Sequence, residues 1–405
     1  MNLSIIVIGD EILLGQVTDT NSGAVARTFG PMGWTVRRVL TVADDGPQIR
    51  RAVETALADS QLVVTTGGLG PTKDDITKLT LMEVFGGKLR RDPDVTENIR
   101  RVFDLRGLEL NPLTADQALV PDSCRVIQNR LGTAPIMWFE RGGSVLVSMP
   151  GVPFETEGAL PSVAAQVSDR FTPDLCLMHH TFMVRGITES ALAQRLDAFE
   201  TSLPAGLHLA YLPQPGLIRL RLDGIGPDSL RAPFDSALER LRAELGELLV
   251  HDGDASPAEM VIELMRRRGL SLGTAESCTG GNIAHAITSV AGSSDVFKGA
   301  VVSYANSVKE NVLGVDPAMI AAHGAVSREV VEQMAAGACR VLGTDCACAT
   351  SGIAGPGGGT PDKPVGTVWI GWCVQGKVSS RMFRLPGDRA RVINRATTEA
   401  LLGLL

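Results

Sequence analysis

Aromatic and histidine residues are scarce in this chain of 405 residues, and its cysteines form no familiar motif. Aromatic side chains make up 4% of the sequence, with Tyr211 and Tyr304 as its two tyrosines, and the six histidines show no metal-ligand spacing. The seven cysteines are scattered, odd in number and without a CxxC pair. This pattern argues against a zinc site and predicts reduced cysteines in a cytosolic setting.

An excess of positive charge is also lacking. The chain carries 38 Lys and Arg against 45 Asp and Glu, a net charge of -7, so we expect neither direct nucleic-acid binding nor attraction to an anionic membrane. No apolar run approaches membrane-spanning length, and the run from Leu3 to Ile8 has no basic leader before it. A cytoplasmic location is therefore predicted.

What the chain does have is enough apolar sequence for several cores. Hydrophobic residues make up 44% and charged residues 20%, and this length predicts two or three domains. Residues 1–170 alternate strand and helix patterns, which predicts an α/β domain with a doubly wound, mostly parallel sheet. Its predicted elements are strands 4–8, 35–41, 62–66 and 144–148 and helices 21–32 and 46–58.

Two further domains are predicted. Residues 171–252 read strand-helix-strand-strand-helix-strand, typical of a small α/β sandwich, with strands 177–185, 207–212, 216–222 and 247–250 and helices 189–201 and 228–245. A polar linker at 251–255 precedes Ser256-Pro-Ala-Glu259, which predicts a capping box at the start of a helix. Residues 253–405 form the third predicted domain, again α/β.

Three loops of the first domain each begin where a predicted strand ends, so we expect them to meet at one rim of the sheet. They contain Gly9-Asp-Glu11 continuing to Asn21, Thr65 to Asp75, and Met149-Pro-Gly-Val-Pro153. Gly67, Gly68 and Gly70 would let backbone amides approach a phosphate, helped by the Thr72 hydroxyl. Asp74, Asp75 and Glu11 would repel a bare phosphate, which predicts a divalent metal between them. The alternative is that these aspartates only favour a helix N-terminus.

In the third domain, Ser277 lies at the predicted end of strand 273–277, and Lys309 lies on a helix predicted for 306–313, after strand 299–304. A desolvated lysine can activate a serine, with Tyr304 as a hydrogen-bond relay. Thr279, Gly280 and Gly281 are predicted to open the next helix, whose amides could hold an oxyanion. Ser277 as an ordinary helix cap is the alternative, and Cys278 is a rival nucleophile without a nearby histidine.

A glycine-rich loop from Ser351 to Thr360 follows the predicted strand 346–350. Such a backbone suits close approach to a phosphate, and Arg389 or Arg391, before or within a predicted closing helix 391–404, could add a cation. A mononucleotide bearing a scissile amide would use all of these parts.

Residues 1–170 resemble the molybdopterin-binding fold of the MoaB and MogA proteins through Gly-Gly-Leu-Gly-Pro-Thr-Lys-Asp-Asp75. With Gly-Asp-Glu11, Thr-Asn21 and Met-Pro-Gly-Val-Pro153 they are similar to the CinA family (competence/damage-inducible protein A). The resemblance implies a metal-dependent pyrophosphatase acting on ADP-ribose or a similar nucleotide. Pterin-phosphate binding is the competing function. Substrate contacts in this domain are assigned to Asn21, Gly67, Gly68, Gly70, Thr72, Pro150 and Gly151.

The third domain resembles the CinA C-terminal domain and the PncC-type nicotinamide mononucleotide deamidases, through Thr-Ala-Glu-Ser-Cys-Thr-Gly-Gly281, Val-Ser-Tyr-Ala-Asn306 and Ser-Gly-Ile-Ala-Gly-Pro-Gly-Gly-Gly-Thr360. The resemblance implies Ser277 as nucleophile assisted by Tyr304 and Lys309, ammonia release without a cofactor, and a role in NAD recycling. Substrate contacts are assigned to Thr279, Gly280, Gly281, Asn306, Ser351, Gly352, Gly355, Gly357, Arg389 and Arg391.

The middle domain resembles the KH-like spacer of CinA proteins, although it lacks a clear GxxG loop. For the whole chain the resemblance implies a homodimer. A non-enzymatic adaptor in DNA uptake or repair is the alternative of a different class.

Overall fold

The computed structural model describes residues 1–171 and 176–405, and it is α/β throughout. In chain order the strands are β1 (Asn2–Ile8), β2 (Thr35–Val42), β3 (Leu62–Thr66), β4 (Leu89–Arg91), β5 (Leu119–Pro121), β6 (Arg125–Ile127), β7 (Ile136–Arg141), β8 (Ser144–Met149), β9 (Cys176–Val184), β10 (Leu207–Gln214), β11 (Leu217–Gly226), β12 (Leu249–Asp252), β13 (Leu272–Glu276), β14 (Phe297–Val302), β15 (Cys346–Gly352), β16 (Thr367–Val374) and β17 (Lys377–Arg384).

The α-helices are α1 (Asp10–Leu13), α2 (Asn21–Phe29), α3 (Gly46–Asp59), α4 (Thr77–Phe85), α5 (Pro93–Arg106), α6 (Pro112–Ala115), α7 (Pro153–Arg170), α8 (Glu189–Thr201), α9 (Arg231–Leu245), α10 (Pro257–Arg268), α11 (Asn282–Thr288), α12 (Asn306–Asn311), α13 (Pro317–His323), α14 (Arg328–Leu342) and α15 (Arg389–Leu402). The chain divides into two compact units, residues 1–179 with 224–234 and residues 180–223 with 235–405. The predicted division into three domains stays a prediction, and part of the proposed start of the middle domain, 172–175, lies outside the described residues.

The first sheet has the order β2-β1-β3-β8-β7-β6. The first four strands are parallel, β7 is antiparallel to β8, and β6 is antiparallel to β7. Strand β1 is apolar on both faces. Leu3, Ile5 and Val7 join a core with α2 and α7, whereas Ile6 and Ile8 join a core with α3. Burial on both faces explains the continuous apolar run and confirms the predicted doubly wound sheet.

A second sheet has the order β10-β11-β9-β12, and its chain order β9-α8-β10-β11-α9-β12 matches the predicted strand and helix order. The last strand is shifted from 247–250 to Leu249–Asp252, so the predicted linker begins inside a strand. The strand continues to Asp252 because its antiparallel pairing with β9 continues to Phe182, and side-chain contacts hold this end. The Asp252 carboxylate lies 2.6 Å from Nε2 of His180 and 2.7 Å from Nε of Arg242.

The third sheet, β14-β13-β15-β16-β17, carries the serine and lysine. Strands β14, β13 and β15 are parallel neighbours, so their carboxyl ends share one edge, and β16 and β17 are antiparallel. Helix α10 begins with the predicted capping box. The Glu259 amide donates to Ser256 Oγ (3.2 Å), and the Ser256 amide donates to the Glu259 carboxylate (2.7 Å).

Several predicted bounds near this sheet edge are wrong. Strands β13 and β14 end one and two residues earlier than predicted, and α12 ends at Asn311. Three other differences have a clear cause. Helix α11 begins at Asn282 instead of Thr279, because Gly280 (φ 63°) and Gly281 (φ 101°) are left-handed and break a right-handed helix. Strand β15 continues to Gly352 because its pairing with β16 continues to Val368. Helix α15 begins at Arg389, since Asp388 accepts a hydrogen bond from the Arg391 amide (2.8 Å) as its N-cap.

Candidate active sites

The carboxyl ends of three parallel strands build a cavity of about 210 Å³ in the C-terminal module, residues 254–405. Ser277 directly follows β13, Tyr304 comes two residues after β14, and Gly352 ends β15. The cavity is lined by Ser277, Cys278, Tyr304, Asn306, Lys309, Ala325, Val326, Ser351, Gly352, Ala354 and Arg389. The fold thus brings the predicted serine, tyrosine and lysine to one edge of the sheet, as expected for a parallel α/β sheet.

Ser277 and Lys309 are direct neighbours. Nζ of Lys309 lies 3.2 Å from Oγ of Ser277, and it also donates to the main-chain carbonyl oxygens of Ser303 (2.7 Å) and Tyr304 (3.4 Å). The two carbonyl oxygens engage two N–H bonds of the amine. A neutral amine would then have its lone pair left for the Ser277 hydroxyl proton.

Burial favours this neutral form of Lys309. The side chain is 1% exposed, and desolvation lowers its pKa from 10.5, while the neighbouring Cys278 acts weakly in the opposite direction. No other charged group is needed to explain the direction of this shift. A serine hydroxyl against a desolvated lysine is an arrangement suited to nucleophilic catalysis.

Cys278, the rival nucleophile, is unsuited to the role. The thiol is 7% exposed, and burial raises its pKa to about 12, so it stays protonated near neutral pH. The thiolate is the reactive form of cysteine. Cys278 therefore acts as a small packing residue next to the serine.

Two of the three predicted oxyanion donors before α11, the amides of Gly280 and Gly281, are already engaged. The Glu276 carboxylate, which is 0% exposed, accepts hydrogen bonds from the amides of Gly281 (2.9 Å), Ile283 (3.1 Å) and Ala284 (2.8 Å). The Gly280 amide donates to the Ser277 carbonyl oxygen (3.2 Å). Because Glu276 caps this helix, the alternative role of Ser277 as its cap is wrong, and the amides of residues 280 and 281 are not free for an oxyanion.

In the N-terminal module, residues 4–168, the three predicted loops do meet. Asn21 Nδ2 donates to the Gly151 carbonyl oxygen (2.8 Å), and the Gly67 amide donates to that of Met149 (3.2 Å). A small cavity of about 60 Å³ is lined by Glu11, Asn21, Thr66 and Gly151, among others. Gly67 has φ 106°, and a Cβ at this position would collide with the Ile8 carbonyl oxygen, so glycine is required there.

The predicted metal ligands of this rim are not arranged as a set. Asp75 is turned into its own loop, where it accepts hydrogen bonds from the amides of Gly70 (2.7 Å) and Thr72 (2.9 Å), and Asp74 is exposed. Within residues 1–171 and 176–405, no three histidine, cysteine or acidic side chains are grouped so that they could hold a metal ion. The structure therefore does not bring Glu11, Asp74 and Asp75 together as one ligand set, and their role in holding a metal stays a prediction.

Asp44 is an acidic residue that sequence reasoning missed. Partial burial, together with the negative charges of Asp10, Glu11 and Asp75, raises its pKa. Asp44 also accepts a hydrogen bond from the Asp10 amide (3.1 Å), which acts in the opposite direction. The rim therefore places three acidic residues close enough to Asp44 for their charges to act on it.

Two family models match the chain. The "CinA C-terminal domain" matches residues 254–405, and the "Probable molybdopterin binding domain" matches residues 4–168. A CinA-like protein of Cytophaga hutchinsonii is 40% identical over 99% of this chain and 96% of its own length. The chain belongs to the CinA family. A CinA-like protein of Chlorobium luteolum is 41% identical over 99% of this chain and 95% of its own length.

Among solved structures, a CinA superfamily protein from Klebsiella pneumoniae is 38% identical and covers 36% of the chain and 92% of its own length, with a TM-score of 0.36. The sequence matches to both modules confirm the resemblance predicted for each end of this CinA-family chain. None of the helices in the described ranges has the length and apolar character that crossing a bilayer requires.

The remaining predicted contacts of this CinA-family chain divide into two groups. Arg389 lies at the cavity, where it donates to the Tyr304 hydroxyl (3.1 Å) and the Gly355 carbonyl oxygen (2.8 Å), and Asn306 lines the same cavity. Tyr304 is 63% exposed, and its hydroxyl contacts Arg389 rather than Ser277. Arg391 is exposed and does not line the cavity.

Two side-chain hydroxyls predicted to bind substrate have protein partners instead. Ser351 donates to the Ala325 carbonyl oxygen (2.7 Å), and the Thr279 hydroxyl lies between Glu276 (2.8 Å) and Thr350 (2.7 Å). Gly357 is exposed and lies outside the cavity lining. Ala325 and Val326, which follow α13, line the cavity but carry no motif by which the sequence could reveal them.

Proposed function

We propose that the C-terminal module is an amidohydrolase that converts nicotinamide mononucleotide to nicotinate mononucleotide and ammonia. The observation that carries the proposal is the 3.2 Å contact between Ser277 Oγ and Nζ of the buried Lys309, inside a cavity. Membership of the CinA family and the matching C-terminal domain support it.

In the proposed mechanism, neutral Lys309 takes the hydroxyl proton of Ser277 while Oγ bonds to the carboxamide carbon. The tetrahedral intermediate then collapses, the C–N bond breaks, and Lys309 returns the proton to the leaving ammonia. Water attacks the resulting ester with Lys309 again as base. The C–Oγ bond breaks, which releases the carboxylate product and restores the serine.

Other groups at the cavity would orient the nucleotide. Since the amides of Gly280 and Gly281 are engaged within the protein, we assign a part in holding the oxyanion to Asn306, whose side chain borders the cavity. The Arg389 guanidinium has further N–H groups besides the two that contact Tyr304 and Gly355. These groups can donate hydrogen bonds to the phosphate of the nucleotide. The phosphate end of the nucleotide would then lie toward the glycine-rich segment that follows β15.

Ammonia release from nicotinamide mononucleotide tests this proposal. Replacing Ser277 by Ala removes the attacking oxygen, and we expect the rate to fall at least about 1,000-fold. Ser307→Ala is the matched control, because Ser307 lies on the same helix as Lys309 and is exposed. Undiminished release by Ser277→Ala, or an equal loss in the control, would contradict the mechanism.

We further propose that the N-terminal module hydrolyses a nucleotide pyrophosphate such as ADP-ribose with a divalent metal ion. Two observations support a polar ligand at this rim. The buried Thr66 Oγ1 and Asn21 Oδ1 atoms have no hydrogen-bond partner among the described residues, and both side chains line the small cavity. Besides burial, the negative charges of Asp10, Glu11 and Asp75 raise the pKa of Asp44, and a cation at the rim would relieve this repulsion. Since the described acidic side chains are not grouped as a complete ligand set, the phosphates of the nucleotide would supply the remaining oxygen ligands. Equilibrium binding of a pterin phosphate without turnover would instead favour the pterin-binding alternative.

A further inference from the structure

Glu276 precedes the proposed nucleophile in the chain, and its carboxylate is fully buried. Besides the three amides of α11, it accepts hydrogen bonds from the hydroxyls of Thr279 (2.8 Å) and Thr274 (3.4 Å). Glu276 takes part in none of the ion pairs that the described residues form. The charge is thus met by five neutral donors and by the positive end of a helix.

The location of this acid is unusual for a helix cap. Glu276 is the last residue of β13, whereas α11 begins six residues later, at Asn282. Its side chain therefore spans the turn that contains Ser277. The carboxylate reaches the helix from the strand, so it ties the two ends of this turn together.

The main chain fixes the same turn from the other directions. The Ser277 amide donates to the Thr350 carbonyl oxygen (3.0 Å), and the Ser277 carbonyl oxygen accepts from the Gly280 amide (3.2 Å). The Glu276 carbonyl oxygen accepts from the Ser303 amide (2.8 Å), and Ser303 in turn holds Nζ of Lys309. Residue 276 is thus connected to both members of the serine–lysine pair.

We infer that Glu276 is a positioning residue for the nucleophile, an inference that rests on the proposed function of the C-terminal module. Its carboxylate holds Oγ of Ser277 at the distance from Lys309 that proton transfer requires. It does so without touching the substrate, since Glu276 is buried below the cavity and is absent from its lining. A misplacement of about 1 Å in such a pair can cost about 100-fold in rate.

Glu276→Gln is the informative substitution. The amide keeps the size and one acceptor oxygen, but its NH₂ group must face at least one of the donors that now bind the carboxylate. We expect kcat for ammonia release to fall about 100-fold with KM changed by less than about threefold, because binding groups at the cavity stay in place. Asp316→Asn is the matched control. Asp316 caps α13 through the Ala318 amide (2.8 Å), and it does not line the cavity.

A second readout does not depend on the natural substrate. An alkyl fluorophosphonate phosphorylates an activated serine, since Oγ bonds to phosphorus, fluoride leaves, and the base takes the proton. The rate of mass increase on the Ser277 peptide, normalised to the folded fraction from circular dichroism, should fall about 100-fold in Glu276→Gln and about twofold or less in Asp316→Asn. If wild type is labelled but releases no ammonia, the proposed substrate is wrong, and the labelling ratio still tests the role of Glu276.

Three results would overturn the inference. These are labelling of Glu276→Gln at the wild-type rate, an equal loss in Asp316→Asn, and no labelling of wild-type Ser277. Should Glu276→Gln fail to fold, Thr279→Val removes one of the five donors and keeps the charge. Ser277 in that variant should be labelled about tenfold more slowly than in wild type. Labelling of Thr279→Val at the wild-type rate would also overturn the role of the carboxylate.

Discussion

At the scale of single residues, burial decides which groups in the C-terminal cavity can react. The same desolvation that raises the pKa of the Cys278 thiol lowers the pKa of the Lys309 amine. A thiol becomes less reactive when it is held protonated, whereas an amine becomes a base when it is held neutral. Two adjacent nucleophile candidates are thus separated by the environment, and the hydroxyl of Ser277 is the one beside the base.

The lowered pKa of Lys309 predicts how the rate depends on pH. With rising pH the amine loses its proton, so kcat/KM for ammonia release should increase and level off at a pH below 10.5. Between the lowered pKa and 10.5 the unfolded chain binds more protons than the folded chain. The contribution of Lys309 to the free energy of unfolding therefore also rises with pH across this window.

Lys309→Arg checks the assignment, because a guanidinium stays charged and cannot serve as the base. We expect kcat/KM at least about 100-fold lower in this variant, without the rising limb of the pH profile. His323→Gln is the control for a histidine as the titrating group, since His323 lies at the end of α13, two residues before the cavity residue Ala325. Loss of the limb in His323→Gln with its retention in Lys309→Arg would contradict Lys309 as the base.

At the scale of elements, two helices of the C-terminal module begin with an acidic residue used in different ways. In α10, Ser256 and Glu259 form a capping box within four consecutive residues. In α11, the acid comes from the preceding strand and reaches across a turn. The first arrangement is local and stabilises one helix, whereas the second couples a helix to a strand end.

The local cap allows a stability prediction. Ser256→Ala removes the acceptor for the Glu259 amide, so the free energy of unfolding should fall by about 1 kcal/mol. Ser256→Thr keeps a hydroxyl at the N-cap and should lose less. Urea unfolding followed by circular dichroism measures both variants, and ammonia release should be unchanged because Ser256 is absent from the cavity lining. Equal stabilities for wild type and Ser256→Ala would show that the box contributes nothing.

The difference between these caps also explains what the sequence could predict. The capping box has a fixed spacing in the sequence, so it is visible in the chain. The contacts of Glu276 depend on where α11 packs against β13, and the burial of Lys309 depends on the fold of 303–309. No short-range pattern contains either fact, and the glycines at 280 and 281 suggested a helix start where they instead form the turn.

At the scale of the whole molecule, the excess of negative charge has its clearest consequence for ligand binding at the N-terminal rim. The net charge of -7 is accompanied there by four carboxyl groups, which would repel a pyrophosphate. A tightly folded glycine loop alone cannot offset this repulsion, since Asp75 already binds the amides of Gly70 and Thr72. The homodimer and the cytoplasmic location stay predictions.

This charge balance predicts different metal requirements for the two proposed activities. Excess EDTA should abolish ADP-ribose hydrolysis, and added Mg²⁺ should restore it, whereas serine–lysine chemistry should release ammonia at an unchanged rate.

A substitution at Asp44 tests the same requirement. Asp44→Asn removes one carboxylate of the rim and should lower ADP-ribose hydrolysis at least about tenfold. Asp104→Asn, at an exposed position on α5, is the control. Full hydrolysis in excess chelator would contradict the metal requirement. A wild-type rate for Asp44→Asn would exclude this carboxylate from the site, because the negative charges of Asp10, Glu11 and Asp75 act on Asp44 and a cation bound among them would sense its loss.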